Sequence, residues 1–251
     1  MCIMTVMYRT VPNYPIVIAA NRDEYYSRVA SGPHVLEENP IIWGGRDQQA
    51  NGSWLGVNAH GLVVGLTNRN LSEEQANDDD RRSRGLLCLD ALRQCRPADV
   101  ATWLESEALD RYNPYNLLVM DAESALWIAY DGKPEILRLE PGLNILANRN
   151  LNDGQSLRVQ RARELLEPAQ HCPLDELIPY LKRACSDHQG GVTDRETLCI
   201  HRDHTQYGTV SSSILAIAPG LQQSLYLYAS GHPCEAVYQD YSHLFLPNSR
   251  L

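Results

Sequence analysis

Nowhere does the chain hold an apolar run near the roughly 20 residues of a membrane-spanning helix, so no membrane insertion is expected. The opening apolar stretch is short and lacks the basic flank of a secretory signal. Regular cysteine spacing is missing too: the 7 cysteines are odd in number and scattered. Free thiols in a reducing, cytoplasmic setting follow. Basic charge is scarce. Lys and Arg total 22 against 31 Asp and Glu, for a net charge of −9. That balance argues against nucleic acid and against anionic membrane surfaces as partners. Repeats, low-complexity tracts and linkers are absent, which predicts a single domain over residues 1–251. Phenylalanine occurs once against 13 tyrosines, a bias for which the sequence offers no physical reason.

What is present begins at the second residue. Cys2 directly follows Met1. With Met1 removed, one residue carries a thiol and a free α-amine. The amine, with a pKa of about 7.7–8.0, is partly neutral near pH 7 and can accept a proton. The thiol is a strong nucleophile once deprotonated. Nucleophile and base are then covalently joined, with no distant histidine required.

Residues 2–8 read as a strand, and Ile16-Val17-Ile18-Ala19-Ala20 as a second, buried on both faces. Paired as a hairpin, they bring Asn21-Arg22-Asp23-Glu24 beside Cys2. An arginine near a thiol lowers its pKa, and an aspartate near the amine orients it. Residues Arg22 and Asp23 are adjacent, so on a regular strand they point to opposite faces. Ser53–Val57 and Leu62–Thr67 flank the turn Asn58-Ala59-His60-Gly61 and end in Asn68-Arg69-Asn70. The charge-rich residues 71–84 read as a mobile loop. Helices follow: Cys88, Leu92 and Cys95 recur at i, i+4, i+7 as core positions, and Pro97 starts a second helix. Strands are expected over 116–129, 135–139 and 143–147, the last ending in Asn148-Arg149-Asn150. Two helical faces, Val159/Ala162/Leu166 and Leu174/Leu177/Ile178/Leu181/Cys185, precede a second β block. That block covers 199–201, 207–217, 225–229 and 236–238. Hairpin-connected strands alternating with helical blocks predict layered α+β with antiparallel sheets.

Cys2, Ala19-Ala20-Asn21-Arg22-Asp23-Glu24, Gly52-Ser53-Trp54-Leu55-Gly56-Val57-Asn58, Gly65-Leu66-Thr67-Asn68, Ala147-Asn148 and Tyr207-Gly208-Thr209 together resemble the NRDE family, that of the transport and Golgi organisation protein 2. The layout is more distantly similar to the choloylglycine hydrolase and penicillin V acylase group of N-terminal-nucleophile hydrolases. The resemblance implies a four-layer αββα sandwich of antiparallel sheets with Cys2 at the start of an inner strand. It implies Arg22 beside the thiol, Asp23 beside the amine, Asn68 at the oxyanion and Asn148 near the substrate. The implied reaction is hydrolysis of a linear amide in a small acyl substrate, without a cofactor. Asn21, Trp54, Asn58, Arg69, Arg84 and Tyr207 stand in the matched motifs or beside the loop and are substrate-binding candidates. One departure is visible: many similar sequences carry Arg after Tyr-Gly-Thr, where this chain has Val210.

The resemblance also implies a rival, carriage of haem on the same scaffold. Haem needs an axial His, Cys, Met or Tyr in an apolar cleft. Cys2, His60 and His201 are the candidates, with Cys199, His204 and His232 further ligand types nearby in sequence. The spacing Cys199-x-His201-x-x-His204 has metal-ligand chemistry but no second cluster, so no metal site is expected from it.

Overall fold

In the computed structural model, residues 2–70, 77–191, 193 and 196–246 are described. Strands β1 (Cys2–Val11), β2 (Tyr14–Tyr25), β3 (His34–Glu38), β4 (Ile41–Gly44), β5 (Leu55–Asn58) and β6 (Val63–Asn68) come first. Helices α1 (Arg84–Leu92) and α2 (Pro97–Ser106) follow, then β7 (Tyr115–Met120), β8 (Ala125–Tyr130), β9 (Pro134–Arg138) and β10 (Gly142–Leu146). Helices α3 (Leu157–Leu166) and α4 (Leu174–Cys185) precede β11 (His201–Arg202), β12 (Tyr207–Ile217), β13 (Leu225–Ser230) and β14 (Gln239–Asp240). The chain divides into two compact units, residues 1–28 with 140–251, and residues 29–139.

The first unit is an antiparallel sheet in the order β10-β1-β2-β12-β13-β14, with β11 paired to β12. Helices α3 and α4 cover one face of it. Ile3, Met7, Val17, Ala19 and Ile145 from the sheet pack on Val159, Ala162, Leu166, Leu177 and Leu181. The period-2 alternation of β1 and β2 turns Met4, Val6, Ile18 and Ala20 to the opposite face, where they are buried as well. The expected double burial of the second strand is therefore met, and it explains the unbroken apolar run. Helix α3 is capped by Ser156, whose Oγ accepts from Val159 N at 3.5 Å. Helix α4 carries Asp175 and Glu176 in its first turn and Lys182 and Arg183 in its last, complementing its dipole.

The second unit is a seven-stranded meander, β3 through β9 in sequence order. Leu87, Cys88, Leu92, Val100 and Leu104 from α1 and α2 pack on Leu62, Val64, Leu117 and Val119. Cys95 does not join them. Helix α1 ends at Leu92, and Cys95 lies beyond it, exposed. The i, i+4, i+7 pattern overran the helix because nothing in residues 93–95 marks a stop as Gly or Pro would. Of the loop expected over 71–84, residues 71–76 lie outside the described residues. The remainder is tied down: Arg81 donates to Tyr112 O at 2.8 Å, Arg82 pairs with Asp90 at 2.6 Å, and Arg84 donates to Pro114 O at 2.9 Å.

One glycine contact anchors α1. A Cβ on Gly52 would lie 2.3 Å from the carbonyl carbon of Gly85, in the first turn of the helix. Ser53 N donates to Gly85 O at 3.0 Å, so the helix start and this loop touch backbone to backbone. Gly52→Ala is expected to destabilise the protein by about 1–3 kcal/mol through overpacking, measured as a lowered urea midpoint.

In the first unit, the expected strand at 236–238 is absent. Glu235 N and Ala236 N both bond His232 O, at 3.0 and 2.8 Å, closing a turn there, and the pairing to β13 is made by Gln239–Asp240 instead. Among the described residues, no helix is long and apolar enough to cross a membrane.

Candidate active site at the Cys2 end of one sheet

Strand register decides which side chains meet. Cys2 sits opposite Arg22, and Ile3 opposite Asn21. Directly paired residues of antiparallel strands share a face, so Cys2 and Arg22 face together, away from α3 and α4. Arg22 is 5% exposed, while Cys2 keeps part of its surface accessible. Burial raises the Cys2 thiol pKa above its ordinary value. The charge of Asp23 adds to this, while the Asp23 backbone and the Arg22 guanidinium pull it down. The thiol is thus not a standing thiolate; it needs a base to take its proton.

The same alternation turns Asn21 and Asp23 to the helix side. The Asn21 amide donates to Cys185 O at 2.8 Å and Leu198 O at 2.9 Å, so it fastens the segment after α4 rather than facing the thiol. Asp23 is fully buried and holds Arg158 of α3 at 2.7 Å through Oδ2. Its Oδ1 accepts from Thr209 Oγ1 at 2.6 Å, and its main-chain oxygen accepts from Tyr207 Oη at 3.0 Å. Burial, and then the Asp23 carboxylate, push the Tyr207 hydroxyl pKa up, so it stays protonated and donates.

A β-bulge reconciles the adjacent pair with its partners. Thr209 lies opposite Asp23 and Ser211 opposite Arg22, with Val210 as the extra residue between them. Thr209 thereby meets Asp23 on the helix side while Ser211 stays with Arg22. Position 210, where many similar sequences carry Arg, is in this chain the bulged residue. The cation beside Asp23 comes from α3 instead. Arg158 stands in none of the motifs, yet its helix carries a signal for it. Arg158, Ala162 and Leu166 fall at i, i+4, i+8, which places an arginine on a buried helix face. Gly208 also gains a reason. A Cβ there would lie 2.6 Å from Ile200 O, where β12 pairs with the short β11.

Asn148 lies just past β10, which runs antiparallel to β1 from Gly142 opposite Tyr8 to Leu146 opposite Met4. It is buried at the Cys2 end of that pairing. One sheet therefore gathers Cys2, Arg22, Asp23, Asn148 and Tyr207 at one end, with Asn21 turned from the thiol.

The remaining candidates, His201 apart, belong to the other unit. Asn68 ends β6, half-buried. The Asn58 amide donates to Leu92 O and Gln94 O at 2.8 and 2.7 Å, and its oxygen accepts from His60 N and Leu62 N at 2.9 and 3.1 Å. Those four bonds saturate it as a joint between the β5–β6 turn and the end of α1. Arg69 is buried, with Nε on Asp131 at 2.9 Å and its guanidinium over the Trp127 ring at 5.7 Å. Trp54 is buried in contact range of Gly45, and Arg84 holds Pro114 O. His60 is exposed on its turn, and His201 lies among His188, Cys199 and Cys234. An exposed His60 is no axial ligand in an apolar cleft, and His201 faces other imidazole and thiol groups, so these two histidines lend haem carriage no support.

The family described as Transport and Golgi organisation 2 matches residues 1–225. The chain belongs to that family. Its relatives include the Transport and Golgi organization protein 2 homolog of Homo sapiens, 28% identical over 198 residues, covering 72% of this chain and 68% of that protein. The Bos taurus homolog is 30% identical over 201 residues, with the same coverage of 72% and 68%. Among solved structures, penicillin V acylase from Agrobacterium tumefaciens superposes with a TM-score of 0.60 at 14% identity, covering 96% of this chain and 86% of that one. The C2A mutant of conjugated bile acid hydrolase from Clostridium perfringens gives 0.56 at 12% identity, covering 96% of each chain. At such identities the likeness speaks for fold. The family's chain here has the antiparallel α+β fold of the N-terminal-nucleophile hydrolases, the class that its sequence led us to expect.

Proposed function

We propose that the chain is an N-terminal cysteine amidohydrolase acting on a linear amide of a small acyl substrate. The observation that carries this reading is the register of β1 and β2, which sets Cys2 opposite the buried cation Arg22. Asp23 follows Arg22 in the antiparallel partner strand, so it lies towards the amino end of Cys2, where the free amine of a Met1-processed chain is. The amine takes the thiol proton, and the thiolate attacks the amide carbonyl. The C–N bond then breaks as the protonated amine returns its proton to the leaving nitrogen. Water hydrolyses the thioester, releasing the acid and restoring the thiol. Arg22 stabilises the thiolate, and Asp23, held by Arg158 and Thr209, orients the amine. The fold is shared with an acylase and a conjugated bile acid hydrolase, which supports acyl-transfer chemistry without fixing the substrate.

Met1-processed protein is mixed with a panel of acyl amides, including penicillin V and a conjugated bile acid, quenched in acid and weighed intact. An acyl adduct on the peptide that starts at Cys2, with matching release of acid, is the expected result. Neither adduct nor acid from any member of the panel, with processing confirmed by mass, overturns the proposal.

A further inference from the structure

Outside that site, four soft-metal ligands converge in the first unit. One ligand atom each from His188, Cys199, His201 and Cys234 lies within 4.8 Å of the others. Cys199 Sγ is 3.8 Å from Cys234 Sγ and 3.6 Å from His201 Nε2, and His201 Nε2 is 3.2 Å from Cys234 Sγ. With Zn–S about 2.3 Å and Zn–N about 2.0–2.1 Å, a tetrahedron has S···S edges of about 3.8 Å and S···N edges of about 3.5 Å. Two of the three edges lie within about 0.1 Å of a tetrahedral zinc centre, and the His201–Cys234 edge is about 0.3 Å shorter. The sulfurs are unbonded, since a disulfide requires about 2.05 Å.

A second observation points the same way. His188 Nδ1 lies 3.1 Å from the main-chain oxygen of Cys199. An Nδ1–H donated to a carbonyl fixes the tautomer and leaves the Nε2 lone pair for a metal, the usual arrangement around zinc-bound histidine. The fold also brings the ligands together by backbone bonds of its own. Cys199 N donates to Asp187 O at 2.9 Å, beside His188. Ser186 Oγ donates to Pro233 O at 2.9 Å, beside Cys234. His201 is held opposite Gly208 in the β11–β12 pair. His204, the third member of the Cys199-x-His201-x-x-His204 spacing, is exposed and outside the group.

We infer that His188, Cys199, His201 and Cys234 form a closed, structural site for a single Zn²⁺ ion. A full set of four protein ligands leaves no position for substrate, which separates it from a catalytic zinc. Its place in the fold gives it a task. Ile200, between two of the ligands, receives from Thr209 N through its oxygen and donates its own N–H to Thr209 Oγ1, both at 2.9 Å. That same Thr209 holds Asp23 at 2.6 Å. Zinc would brace the strand that backs the Asp23 network. The assignment stands or falls independently of any turnover at Cys2.

Untagged full-length protein, purified under reducing conditions, is stripped with chelator and titrated with Zn²⁺ and, separately, with Co²⁺. One equivalent of zinc is expected to bind. Co²⁺ should give a thiolate charge-transfer band and the intense visible bands of a tetrahedral site. Cys234→Ser, at an exposed position, and His201→Ala should each weaken zinc binding by more than the roughly 10–100-fold that loss of a supporting contact produces. His204→Ala should leave it unchanged. Absence of stoichiometric binding, binding indifferent to Cys234→Ser and Cys199→Ser, or a mass lower by two hydrogens from a Cys199–Cys234 disulfide in reduced preparations would each overturn the site.

Discussion

Replacing Cys2 with alanine is expected to lower amide turnover by on the order of 10⁶-fold, into the background, as removal of an enzymatic nucleophile does. The reason is specific to this thiol. Burial holds its pKa above the ordinary value and Arg22 only partly offsets that, so little thiolate exists near pH 7 without a base. The free amine is the base on offer, and its own pKa of about 7.7–8.0 sets the expected rise of kcat/KM with pH. Below that range the amine is charged and accepts nothing. Above it the rate should level. Inserting one residue between Met1 and Cys2, so that no free amine remains on the cysteine, should abolish the rise along with the activity. Cys2→Ser keeps the amine and the shape, so its stability should stay close to that of the parent in a urea titration while its activity is lost. Full activity in Cys2→Ala, or a pH profile unaltered by the insertion, would mean that the chemistry lies elsewhere.

Elements with strong local patterns were readable from the sequence. The β1–β2 hairpin was expected because an apolar strand, a Pro-Asn turn and an unbroken second apolar strand leave few other arrangements. Pro97 marked the start of α2 because proline is tolerated at a helix's first turn and little further in. Boundaries set by tertiary pairing were not readable. The last strand fell at Gln239–Asp240 because a turn around His232 takes up residues 235–236. At the candidate site, the pairing of Cys2 with Arg22 was legible through simple hairpin register. The opposite orientation of Asp23 was legible as a difficulty, but its solution was not. That solution uses a bulge at Val210 and a guanidinium from α3, separated from Asp23 by 135 positions in the chain. The metal-type cluster shows the same limit. Cys199 and His201 are two apart in the chain, whereas Cys234 arrives from 35 residues away through a turn that no local pattern announces.

The buried pair of Arg158 and Asp23 carries the second large effect. The two side chains are 6% and 0% exposed, and removing one partner of such a pair typically costs about 3–5 kcal/mol, because the other is left as an uncompensated buried charge. Arg158→Met should therefore destabilise the protein by that amount in denaturant titration, with Asp23 keeping Thr209 Oγ1 but losing the Arg158 guanidinium on the helix side. Asp23→Asn should do the same for Arg158, whose Nε and Nη1 already lack hydrogen-bond partners. Removing both charges, as Asp23→Asn with Arg158→Met, should cost less than the sum of the single changes, a coupling of the size seen for residues in one network. A purely additive double change would show that the pair is not energetically joined. The functional readout separates packing from positioning. In Arg158→Lys, which keeps the charge but loses the planar fork, a folded protein with a shifted pH dependence of Cys2 alkylation would mark Arg158 as the residue that positions Asp23 toward the amine. An alkylation profile identical to the parent's would confine Arg158 to holding α3 on the sheet.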